Sequence, residues 1–85
     1  MPEQFSMSPT ERRILEFFRK QPHAIETAKG IATWLCAEPE DVGKALEELA
    51  KRKWLSVHET TAVVGYSLTD NERFLAEIQQ ALEPS

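Results

Sequence analysis

Residues 27–53, TAKGIATWLCAEPEDVGKALEELAKRK, decide the fold, because they read as two short helices joined by a tight corner. The second half is the sharper. Pro39 stands where a first helical turn tolerates a missing N–H, and Glu38 before it is a cap of middling quality. Glu40 and Asp41 then put negative charge at the positive end of the helix dipole. Val42, Ala45, Leu46 and Leu49 follow at three- and four-residue spacing, giving one apolar stripe on a helix expected to run to about Arg52. In the first half, Thr27 to Leu35, the expected buried side is Ile31, Ala32 and Leu35, so the two helices must share a core. Only Cys36 and Ala37 remain between them, which is the length of a helix-turn-helix corner.

Upstream, residues 1–7 read as a loose arm in which Phe5 or Met7 is the side chain able to fold back on the first helix. Ser8 opens a capping box with Glu11, and Pro9 fits the first helical position. Ile14, Leu15 and Phe18 give that helix its inward face. Phe17 widens the apolar arc and suggests a further helix on its flank. Pro22 ends the helix near Lys20 or Gln21, and His23, Ala24 and Ile25 form a short extended link with room for a stub of edge strand before Thr27 caps the next helix.

Downstream of Arg52 the apolar period changes from 3.6 to 2. Leu55 and Val57 alternate with Ser56 and His58, residues 59–62 are polar or small, and Val64, Tyr66 and Leu68 alternate again. That pattern predicts a two-stranded hairpin. Thr69 with Glu72 three residues on looks like a second capping box, opening a last helix lined by Phe74, Leu75, Ile78 and Leu82 as far as Glu83.

The chain of 85 residues is 41% hydrophobic, enough for one small domain near the lower limit for a core without disulfides or metal. One cysteine cannot form an internal disulfide, and no signal peptide or membrane span is legible, so a cytoplasmic location is expected. Repeats and low-complexity segments are absent.

The motif Ile31-Ala32-x-x-Leu35, then Val42-Gly43-Lys44-Ala45-Leu46-x-x-Leu49, then Trp54-Leu55 and Tyr66-Ser67-Leu68-Thr69 resembles the winged helix-turn-helix superfamily. In outline it is most similar to small MarR-like and ArsR-like transcription regulators, and the likeness covers residues 8–83. The fold implied is mainly α with a small β-hairpin: a three-helix core, a two-stranded wing and a C-terminal helix. Cys36 and Lys53 stand where such proteins usually carry glycine, which implies a non-glycine residue at positive φ or a shifted turn at each.

Carried over, the resemblance puts the third helix in a DNA major groove and the wing on an adjacent groove or phosphates. Glu38, Glu40, Gly43, Lys44 and Glu47 would face the groove, Thr27 and Lys29 would lie near phosphate, and His58 and Thr60 would belong to the wing. Charge opposes this assignment. From Glu38 to Arg52 five acidic residues (Glu38, Glu40, Asp41, Glu47, Glu48) stand against three basic ones (Lys44, Lys51, Arg52), within a chain of net charge −4. Phosphate neutralisation supplies most of the affinity of DNA binders, and the wing tip carries no arginine or lysine. The positive charge is on the first helix, where Arg12, Arg13, Arg19 and Lys20 outnumber Glu11 and Glu16. A dimer can still align a few lysines, and glutamate can accept from cytosine.

Two partners are therefore carried forward, double-stranded DNA or a protein. The protein reading rests on Trp34, which falls to the side of the second helix, either exposed as an interface anchor or folded over the wing or first helix as the rim of the core. Phe17 and Phe74 read first as core, although relatives of this outline form homodimers through helices one and four. Trp54, at the start of the hairpin, reads as structural. Enzyme readings find no support in the residues. His23 and His58 are far apart, Cys36 is alone, and the three glycines Gly30, Gly43 and Gly65 make no phosphate loop, so no cofactor or metal is expected.

Overall fold

Ser8 opens the first helix in the way its local sequence dictates: its hydroxyl accepts from Glu11 N–H at 3.1 Å, and the Glu11 carboxylate accepts from Ser8 N–H at 2.8 Å. The structure, a computed structural model, describes residues 7–83. Seven elements follow in order: α1 (Pro9–Lys20), β1 (Ile25–Thr27), α2 (Ala28–Leu35), α3 (Pro39–Lys51), β2 (Leu55–Glu59), β3 (Val64–Leu68) and α4 (Glu72–Leu82). Met7 packs against the core as the sequence allowed. Phe5 and the rest of the predicted arm lie outside the described residues.

The α2–α3 pair shows why glycine is usual at two positions. Cys36 has φ 53° and Lys53 has φ 66°, so both predicted departures are left-handed residues rather than shifted turns. Each closes its helix in the same way. Ala37 N–H donates to Ala32 C=O and Cys36 N–H to Thr33 C=O; Trp54 N–H donates to Leu49 C=O and Lys53 N–H to Ala50 C=O. These are paired Schellman bonds, and each left-handed L-residue costs about 1–2 kcal/mol relative to glycine. Lys53, exposed after α3, is the site to test: Lys53→Gly should raise stability by about 1 kcal/mol in urea unfolding.

The hairpin gains a third strand. β1 pairs antiparallel with β3, Ile25 opposite Ser67 and Thr27 opposite Gly65, so the sheet order is β1-β3-β2. The possible stub of strand at Ile25 is thus present. The strict alternation expected of the wing is not, because the ribbon projects beyond the helices. Leu55 at its base is buried, whereas Val57 and Val64 are exposed.

Three local predictions need correction. α4 is capped by Asn71, whose carboxamide accepts from Arg73 N–H at 2.9 Å, and not by a Thr69–Glu72 box. Thr69 N–H is held by the Trp54 carbonyl, which keeps Thr69 in register with the sheet and delays the helix. Glu38 stands at the start of α3 but makes no side-chain cap bond, its stem being longer than that of the short polar residues that fit the site. Leu35, expected inward, is half-buried at the open end of α2.

The core draws on every helix: Ile14, Leu15 and Phe18 of α1, Ile31 of α2, Val42, Leu46 and Leu49 of α3, and Ile78 and Leu82 of α4. Trp54 closes its lower edge, with its indole N–H donating to Glu77 at 3.0 Å. The two helical glycines differ in their reasons. A Cβ on Gly30 would lie 2.7 Å from the Glu26 carboxylate and 3.3 Å from the Thr27 hydroxyl, whereas one on Gly43 would meet nothing within 4 Å. Gly43→Ala should therefore stabilise the protein by about 0.8–1.0 kcal/mol, read as a higher urea midpoint.

Candidate nucleic-acid interface

α3 presents its polar face as a single stripe. Glu40, Lys44, Glu47 and Lys51 follow at four-, three- and four-residue steps and are all exposed, with half-buried Gly43 beside them. The apolar residues on the other side hold the helix rigidly. Lys51 lies 3.4 Å from Glu48, an exposed pair of little energetic weight, while Lys44 has no ion-pair partner among the described residues.

Two grooves flank this stripe. On the wing side a hollow of about 490 Å³ is lined by Glu47 and Lys51 of α3, Val57 and Glu59 of β2, and Val64 and Tyr66 of β3. On the other side Lys44 and Asp41 share a smaller hollow of about 310 Å³ with Ser8 and Thr10 at the start of α1. Lys44 and Glu47, both predicted to face a groove, therefore look into different hollows.

The wing-side hollow is electrostatically unusual. Partial burial raises the Tyr66 phenol above its ordinary range, and the carboxylates of Glu47 and then Glu59 push it further. A raised folded-state value stabilises the protein fully below the unfolded value of about 10, and that stabilisation is lost as pH rises through the folded value. Melting temperature followed into alkali should turn down above about pH 10. Glu47→Gln should make that loss smaller.

Thr27, His58 and Thr60, predicted near DNA, are put to structural use. Thr27 ends β1 and caps α2, its hydroxyl accepting from Gly30 N–H at 3.0 Å. Lys29 is exposed on the first turn of α2. His58 Nε2 bonds the Ser67 hydroxyl across the wing at 2.8 Å. Thr60 organises the wing tip, its N–H donating to the Val63 carbonyl at 2.9 Å and its hydroxyl accepting from Val63 N–H at 3.1 Å. Sequence reasoning missed Val57 and Tyr66 as lining of the hollow. Their register is the available signal: they face each other across β2 and β3 beyond the last core residue.

The proposed protein anchors separate. Trp34 is 63% exposed, its ring resting against Phe17 with centroids 6.0 Å apart, so it leans on α1 without becoming core. Phe17 is buried, and Phe74 packs against the core from α4, away from the residues around Trp34. No helix among the described residues is long and apolar enough to cross a membrane.

No protein-family model and no curated protein matches the chain. Solved structures do. YusO from Bacillus subtilis is 20% identical with a TM-score of 0.68, the alignment covering 89% of this chain and 55% of that one. The AntR antimony-specific transcriptional repressor is 19% identical with a TM-score of 0.68, over 88% of this chain and 65% of its own. A ZitR mutant from Lactococcus lactis, in complex with DNA, is 26% identical with a TM-score of 0.64, over 92% and 62%. The chain thus spans between 55% and 65% of the length of these three proteins. An α2–α3 corner shared with such structures, followed by a hairpin stitched back to the first strand, makes this chain a winged helix-turn-helix domain.

Proposed function

We propose that the domain binds double-stranded DNA as part of a transcription regulator, with α3 in the major groove and the β2–β3 wing against an adjacent groove or phosphates. The observation that carries this reading is the likeness of the α2–α3 pair and wing to a ZitR structure that contains DNA, at 26% identity over 92% of this chain. Lys44 and Lys29 supply phosphate contacts, Glu40 and Glu47 accept from cytosine amino groups, and Gly43 allows close approach of the helix. α1 and α4 provide the face on which two copies pair. Pairing aligns the Lys44 residues of both copies on one side, offsetting the acidic balance of α3. This activity belongs in the cytoplasm and needs no cofactor.

Titration of a fluorescent random-sequence duplex, followed by anisotropy at about 50 mM salt, tests the reading. Binding with a dissociation constant of about 10⁻⁴–10⁻⁶ M or tighter that weakens steeply with salt is expected. A flat titration would overturn it.

A further inference from the structure

The basic side of this acidic protein is a cleft between the C-terminal half of α1 and the end of α2. It holds about 320 Å³, floored by Trp34, Phe17 and Leu35 and edged by Arg13, Lys20 and Gln21. We infer that this cleft docks an acidic peptide segment of a partner protein, one that carries an apolar anchor side chain.

Three observations converge. Trp34 is 63% exposed directly above Phe17, which is 8% exposed, so an apolar floor stands open to solvent with its aromatic support already in place. Tryptophan in such a setting is the residue that most often anchors an interface. The charges at the edge are available. Lys20 and Arg19 have no ion-pair partner among the described residues and share a second hollow next to the first. The Arg13 guanidinium is held in position by the Leu35 carbonyl. The one carboxylate at the edge is Glu16, in an exposed 3.9 Å pair with Arg12, so Arg13 and Lys20 outnumber it around the cleft.

Charge complementarity selects the occupant. In a chain of net charge −4 a local surplus of cations attracts acidic segments and repels basic ones. A hollow of about 320 Å³ with an apolar aromatic floor admits a single apolar side chain more readily than a strand of bases. The cleft shares no residue with the α3–wing groove, so this inference stands or falls apart from DNA binding.

The probe is a short acetylated and amidated peptide of aspartates and glutamates around a central Leu-Phe pair. Trp54 is 5% exposed, so acrylamide quenching of the folded protein reports mainly Trp34. Saturable protection of Trp34 by the peptide, weakening as salt rises, is expected. By calorimetry, Lys20→Glu and Trp34→Ala should each weaken binding about tenfold or more with melting temperature unchanged, since both side chains are exposed. Three results would overturn the inference: no protection, equal binding by Lys20→Glu, or protection by oligothymidylate instead of the peptide. Protection that grows with protein concentration, together with sedimentation as a dimer, would assign the cleft to a second copy and overturn it as well.

Discussion

Phe18→Ala should destabilise the folded protein more than any other single truncation proposed for it. Phe18 is wholly buried, with its ring edge-on to Phe17 at 5.2 Å and 76°. Removing a ring from such a site costs about 3–5 kcal/mol, the lost transfer energy plus the cavity left behind. A domain of 85 residues has a total stability of roughly 4–13 kcal/mol at about 0.05–0.15 kcal/mol per residue. The substitution therefore consumes a large part of what holds the fold together. Urea unfolding should show the midpoint falling by about a third or more with the slope unchanged. Phe18→Leu, which keeps most of the volume, should cost much less. A small effect of the alanine variant would mean that α1 is not the central support of the core.

The second large effect concerns charge on α3. Glu47→Lys should strengthen binding of random-sequence duplex by about tenfold at about 50 mM salt. The reasoning is counterion release: a random duplex offers Glu47 no fixed cytosine, whereas a lysine on the same exposed turn reaches a phosphate. One such contact steepens the dependence of log K on log salt by about 0.9, roughly an order of magnitude on extrapolation to low salt. The same variant removes the larger of the two carboxylate influences on Tyr66, so the tyrosine should also titrate at lower pH than in the parent protein. Stronger binding without the Tyr66 change would place the lysine away from the wing-side hollow. The Tyr66 change without stronger binding would place the duplex elsewhere than α3.

What the sequence revealed was local or periodic. The Ser8–Glu11 box and the stripe from Val42 to Leu49 depend on residues within one or two turns, and both stand in the structure. At Cys36 and Lys53 the family resemblance points to the positions but leaves a left-handed residue or a shifted turn open, and the Schellman bonds of the structure take the first. The second capping box failed for the opposite reason. Thr69 and Glu72 have the right spacing, but the Thr69 N–H is committed to Trp54, a partner that no local pattern reveals. The wing misled in the same manner. Alternation predicts strands, and strands there are, but how far a ribbon extends past its core depends on packing. At the candidate site, position 34 lies between the buried and polar sides of α2, so its exposure waited on where α1 crossed. The influence of Glu47 on Tyr66 likewise arises only when α3 and the wing are brought together.

Thr27 holds two offices at once: it is the last residue of β1, opposite Gly65, and the cap that starts α2. The wing is consequently not a loose flap hung from the end of α3 but a lever whose fulcrum is the root of α2. The ribbon is therefore anchored at two places, through the turn that leaves α3 and, by way of β1, through the first residue of α2.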